Sequence, residues 1–383
     1  MRASARRGFT LIEMMVALVA AGVLMASLVG LSASVQRTFG YSKDISELQS
    51  NLRFAMKTVV EDLGRVSYMH TADPNLDYCH RYGPLPAVNP IAMSFDGAVL
   101  DIRGNFVSAR DYLLDLTQSR VLCRNQMDAA GTVDGLGGAC GGYEPYLQPF
   151  ADGPDNLGDV FCPGQTIRME AEQRAFMYLS VTAVNPASFG LTVDTTNISR
   201  EVLRGHHRWV NPLTLVRYRL AQDGAYTAPF SSPTAAAQRW RLMRQGEGCD
   251  NGALVWGNPI ELADFLLPPG GALPSGFELQ FVEDTNAQLC APGGAPAPAL
   301  TPPVLLNAAG QLNPVRARAF VVTLRGRTLG EDPNYTLPGL AGDPTTWMNF
   351  GVDLDNSLTN GLAYVRTERT VIQLRNLGLN QAL

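Results

Sequence analysis

Glu13 is the residue whose placement most demands a chemical explanation. It stands at the mouth of residues 14–36, a run with no charged side chain. An unpaired carboxylate in hydrocarbon is strongly disfavoured, so this one either reaches the headgroups or finds a cation. Cleavage after Gly8 would supply one, because it leaves Phe9 with a free α-amino group four residues before Glu13. A neighbouring copy displaced along a shared axis could then present its amine to this carboxylate. Arg2, Arg6 and Arg7 make the segment ahead of Gly8 positive.

Elsewhere the residues offer little chemistry. The histidines are His70, His80, His206 and His207, and the adjacent pair would face opposite ways in a strand. No GxSxG elbow, HExxH pair or phosphate-cradling glycine loop is present, and the expectation is a protein that is not an enzyme. Two acidic loops have the hard oxygen ligands that calcium takes: Asp152, Asp155 and Asp159 with Asn156, and Asp353 and Asp355 with Asn356. Neither has EF-hand spacing, and solvated turns have the same composition; no other cofactor is indicated.

Six cysteines, Cys79, Cys123, Cys140, Cys162, Cys249 and Cys290, are an even number in a domain exported to an oxidising compartment. Their irregular spacing lacks a Cys-x-x-Cys pair and does not suit zinc. The favoured arrangement is bridges within the group from Cys79 to Cys162, with Cys249 and Cys290 as a separate pair.

The elements that must carry these residues begin with a helix. Residues 14–36 would rise about 34 Å, enough for a bilayer core of roughly 30 Å. The arginines precede this run, while Arg37 and Lys43 after it are offset by Asp44 and Glu47. The positive-inside bias therefore keeps the N-terminus in the cytoplasm and sends the rest across. A secretory signal with a small-residue cleavage site is the alternative, and the alanine-rich residues 17–22 leave it open on pattern alone.

Ile45, Leu48, Leu52, Met56, Val59, Leu63 and Val66 then recur in steps of three or four, an apolar stripe that needs a covering domain. With no proline in residues 9–73, one helix over 9–68 is expected, its first part, 9–36, in the membrane. Residues 69–170 read as a loop-rich insertion over a small sheet, with apolar pieces at 98–102 and 112–116. Residues 171–383 read as an antiparallel β-rich head, with strands expected at 174–183, 189–195, 213–220, 239–245, 277–283, 317–324 and 370–374. Three of the 30 basic residues lie in the first eight positions, so the remainder carries 27 against 35 acidic, a poor surface for nucleic acid.

The run Gly8-Phe9-Thr10-Leu11-Ile12-Glu13 before an apolar helix resembles the class III signal of type IV pilins and type II secretion pseudopilins. The resemblance implies that Gly8 is the cleavage glycine, Phe9 the residue that becomes N-terminal and methylated, and Glu13 the carboxylate used in filament assembly. A finer likeness is to PilW-like minor pilins and the related J-type pseudopilins. It rests on LRFAMKTVVEDLGRVSY at residues 52–68, VRYRLAQDG at 216–224, IELADFLLPPGGALPSGFELQF at 260–281 and RTERTVIQLRN at 366–376.

That likeness implies an α+β type IV pilin fold, in which a long N-terminal helix, membrane-spanning in its first half, packs on a large antiparallel sheet. It also implies a life first in the inner membrane with a periplasmic head, then in a pilus at the cell surface. The partners it implies are a prepilin peptidase, the major pilin and other minor pilins, the inner-membrane assembly platform and a PilY-type tip adhesin. The role it implies is a minor pilin that primes or caps a pilus and supports adhesion or twitching motility; a tip pseudopilin of type II secretion is the alternative.

Overall fold

The computed structural model describes residues 10–66, 93–96, 98–107, 112–115, 120–123, 157–170, 176–185, 190–194, 207–229, 233–270, 273–283, 305–307, 317–332, 349–352, 354 and 362–373. It is an α+β architecture: one long N-terminal helix laid against a large antiparallel sheet, as in the general pilin fold.

Helix α1 runs from Leu11 to Gly64, about 81 Å at 1.5 Å per residue. It ends at Arg65, whose N–H closes the last turn on the Asp62 carbonyl. The expected stripe is the face it buries: Leu48, Leu52, Met56, Val59, Leu63 and Val66 lie in the core, joined by Ala55.

The strands, in chain order, are β1 (Met93–Phe95), β2 (Val99–Gly104), β3 (Tyr112–Asp115), β4 (Arg120–Cys123), β5 (Thr166–Glu170), β6 (Phe176–Asn185), β7 (Gly190–Val193), β8 (His207–Gln222), β9 (Trp240–Asp250), β10 (Ala253–Trp256), β11 (Ile260–Leu266), β12 (Phe277–Glu283), β13 (Leu305–Asn307), β14 (Ala317–Asp332), β15 (Asn349–Val352) and β16 (Leu362–Gln373). A one-turn helix, α2 (Leu157–Val160), precedes β5.

Strand β8 is the spine. Its first half pairs with β3 and β5, and its second half with β2 and β9. Two cores result. The first lies between α1 and the sheet, where Ile102, Val216, Tyr218, Leu242, Phe277, Phe320, Val322 and Leu324 meet the helix stripe. The second is built from Phe161, Ile167, Met169, Leu179, Val181 and Val210, on the strands that β8 carries away from the helix. Since β2, β3 and β5 all hydrogen-bond to β8, the described strands before residue 170 belong to the same sheet as those after it.

Strand β14 shows how closely the helix seats. Phe320, Val322 and Leu324 point at α1 on alternate positions, and the next in that series is Gly326. A Cβ there would come within 2.6 Å of Leu48 Cδ1, so any larger residue would have to push the Leu48 side chain aside. On the opposite face of β14, Arg327 is 1% exposed and donates to the carbonyls of Ala236, Ala237 and Thr328. It thereby pins the 3-10 turn Ala235–Ala237 of the β8–β9 connection to the back of the sheet.

Candidate functional site: the N-terminal helix and its grip on the head

Thr10 is the N-cap of α1, and Glu13 is three residues on, the Thr-x-x-Glu spacing of a capping box. The Thr10 hydroxyl oxygen accepts from the Glu13 N–H at 3.3 Å. The Glu13 carboxylate accepts from the Thr10 N–H at 2.9 Å and the Thr10 hydroxyl at 3.0 Å. Within one subunit, then, the carboxylate is held over the positive end of the helix by local donors while staying exposed. These local donors are a third partner for Glu13 beside the headgroups and a neighbour's amine, and the Thr-x-x-Glu spacing that signals them is legible in the sequence. Gly8, Phe9 and the three arginines ahead of them lie outside the described residues.

Behind Glu13 the helix is long and apolar enough to cross a membrane, and none of its apolar window is buried. Leu11, Ile12, Val19, Leu24 and Leu31 are all more than 60% exposed, which no water-soluble core helix tolerates. Residues 3–29 match the prokaryotic N-terminal methylation motif. The chain carries a prepilin-like N-terminus. This supports membership in the broad type IV pilin and pseudopilin superfamily, with an inner-membrane anchoring step through α1. Comparison with curated proteins and with solved structures returns no match.

Along the distal half of this prepilin-like helix, polar groups tie it to the head. Asp62, which lies between positions of the apolar stripe, is only 6% exposed and faces the sheet. It accepts from the Tyr218 hydroxyl at 2.5 Å and from Arg244 Nε at 2.6 Å. Burial, then the Asp62 charge, pushes the Tyr218 hydroxyl pKa well up, which keeps it a donor. Burial opposes the Arg244 charge, but the hydrogen bond and charge of Asp62, with the smaller pull of Tyr218, together outweigh it and the guanidinium pKa stands above its ordinary value. Farther up α1, Arg53 Nε bonds Glu368 at 3.3 Å. With its amide turned so that the oxygen faces the guanidinium, Gln49 accepts from Arg366 at 2.9 and 3.0 Å.

The disulfide differs from the expected arrangement. Cys162 bonds Cys249, 87 residues away, so Cys249 does not pair with Cys290 and Cys162 does not pair within the earlier group. The reason is topological: β5 and β9 both flank β8, which brings the segment after α2 beside the β9–β10 hairpin. Cys123 closes β4; Cys79, Cys140 and Cys290 fall outside the described residues.

Of the calcium candidates, Asp159 is exposed on α2, and Asp152, Asp155, Asp353 and Asp355 lie outside the described residues. Among the described residues, no group of three or more His, Cys, Asp or Glu side chains is placed to hold a metal ion.

On the far face of the sheet, Arg217 forks onto Asp101 at 2.7 and 2.8 Å and lies 5.1 Å from the centre of the Trp256 ring. Beside them, burial first of all raises the pKa of Glu247 above 4.5, against the lowering pull of Arg103 and of the Leu215 N–H. A carboxyl raised on folding favours the folded state at low pH and loses that contribution as pH climbs past its unfolded value. Glu247→Gln should therefore leave stability unchanged below about pH 4 and make the protein more stable than wild type at pH 7. Urea unfolding at both pH values checks this; equal stability of the two proteins at pH 7 would contradict it.

Proposed function

We propose that the chain is a minor pilin, an assembly subunit and not an enzyme, which enters a type IV pilus and primes or caps it. The observation that carries this reading is the continuity of α1: a methylation motif at residues 3–29 leads without a break into a helix whose far half is locked to a β-rich head. The geometry of the finer likeness adds support, since residues 52–68, 216–224 and 366–376 meet on α1 through Asp62, Tyr218 and Glu368.

In this reading a peptidase of the inner membrane cuts after Gly8 and the Phe9 amine is methylated. The subunit waits in the membrane with its head in the periplasm, and is drawn into the filament among major and minor pilins at the assembly platform. From there it reaches the cell surface, where it supports a tip adhesin, adhesion or twitching. Glu13 exchanges its capping bond to Thr10 for the amine of a neighbour; that exchange replaces neutral donors by a cation in a low-dielectric surrounding, which favours it.

Glu13→Ala should still be cleaved, because the residues around Gly8 are intact, but its recovery in sheared filaments should fall at least ten-fold. Immunoblots of the membrane and filament fractions measure both. Wild-type recovery of the variant would remove Glu13 from assembly, and a wild-type chain absent from every filament would remove the reading itself.

A further inference from the structure

The distal half of α1 has a second face. Lys43, Glu47, Ser50, Phe54, Lys57 and Glu61 follow one another in steps of four and three, so they form a single row along the helix. All six are exposed, and they lie opposite the buried stripe. Phe54 is 60% exposed in the midst of them. It stands eighteen residues beyond the last of the uncharged run, about 27 Å along the helix, too far for the bilayer to cover. The head cannot cover it either, because the head takes the other face.

The charges on this row make poor pairs within their own helix. Lys43 and Glu47 stand 3.7 Å apart and Lys57 and Glu61 3.8 Å, with every side chain at least 60% exposed. In both pairs the cation precedes the anion, the less favourable order along a helix. Such pairs contribute little and are easily exchanged for others.

Their spacing also selects a partner. Set against an identical row in register, lysine meets lysine and glutamate meets glutamate. Shifted by four residues, about 6 Å, the second row's Lys43 comes level with Glu47 and its Lys57 level with Glu61. Ser50 is small enough to let a helix approach, and Phe54 supplies the apolar contact that the row otherwise lacks.

We propose that this face is a docking surface for the same face of a second copy of the chain, lying parallel and staggered by four residues. The inference rests on the assembly reading for its orientation alone: two subunits anchored with their N-termini on one side of a membrane can present these rows only in parallel. The row continues the exposed apolar half of α1, so the contact extends outside the bilayer a surface that is unpaired from Leu11 onward.

The test uses the full chain in membrane vesicles that contain no filament machinery. Ser50→Cys is treated with a short bis-maleimide, and a product of twice the chain's mass is expected. Lys43→Glu with Lys57→Glu gives a wholly acidic row, and Glu47→Lys with Glu61→Lys a wholly basic one. Each in the Ser50→Cys background should lose the product at least ten-fold when expressed alone, and the two expressed together should regain it. Phe54→Ala should reduce it several-fold. All these positions are exposed, so the head's folding is not at stake.

The proposal is overturned if the acidic and basic rows cross-link as well alone as wild type does. It is equally overturned if Ser50→Cys gives no dimer, or gives adducts only with proteins of other mass. Filament incorporation is scored separately through Glu13→Ala, so a failure in vesicles leaves the assembly reading standing, and the reverse holds too.

Discussion

Asp62→Ala should lower the unfolding free energy of the full chain by about 3 kcal/mol, the lower end of what removing one partner of a buried ion pair costs. The lower end applies because the Arg244 side chain keeps 24% of its surface and can recover some water. The Tyr218 hydroxyl cannot, since that residue is fully buried and would be left with its proton unaccepted. Asp62→Asn should fall between, because an amide oxygen still accepts from Tyr218 but no longer answers the guanidinium. Arg53→Ala is the control: its partner is Glu368 on the rim and the Arg53 side chain is 73% exposed, so less than about 1 kcal/mol is expected.

Urea titration in detergent, followed by tryptophan fluorescence, measures all three. Equal losses for Asp62→Ala and Arg53→Ala would show that the buried contact adds nothing beyond the surface one. The consequence reaches function. If α1 is the part drawn into a filament, the triad of Asp62, Tyr218 and Arg244 is where a pull along the helix passes into the head. A weakened grip should then appear as heads shed from the helix under proteolysis before any change in membrane insertion.

The helix and its buried stripe were legible because a period of 3.6 residues persists over many turns and nothing interrupts it. Strands β8, β12 and β14 were legible for a similar reason, being rich in branched and aromatic residues; β12 has the expected bounds, 277–283. Strand β11 escaped as a strand because Ile260–Leu266 does not alternate: its register slips twice against β9, and Phe265 takes φ 50° at the irregularity. Buried Asp62 escaped because a carboxylate between helix stripes ordinarily faces water. Only the sheet, which places Tyr218 and Arg244 across from it, makes burial tolerable.

The Thr10–Glu13 box was a local signal and could have been read from spacing alone. The partners of Asp62 and of Cys162 are 156 and 87 residues distant, and no local pattern encodes them.

The bridge between Cys162 and Cys249 should be the strongest single contribution to the second core. Closing a loop of 87 residues removes unfolded-state entropy equivalent to about 4.5 kcal/mol in the chain-entropy account. It also has a local task. The β9–β10 hairpin turns at Asn251 and Gly252, both with positive φ (49° and 77°), and β10 pairs only with β9 among the described strands. A two-stranded arm of this kind is marginal alone. Cys249 ties it to Cys162, which is wholly buried next to Phe161 in the second core.

Replacing both cysteines by alanine should therefore loosen two places first: the hairpin, and strands β5 and β6, which depend on that core. Hydrogen exchange on the full chain should show those amides exchanging at least ten-fold faster, while β12, β14 and β16, clamped against α1 through Phe277, Phe320 and Ile372, keep their protection. Uniform acceleration through every strand would mean that the spine β8 makes the head a single cooperative unit. No acceleration in β5 and β6 would mean that the second core stands without its bridge. The first pattern alone fits a head in which a helix-bound sheet carries a separately stapled lobe, so that the lobe can vary its surface without disturbing the grip on α1.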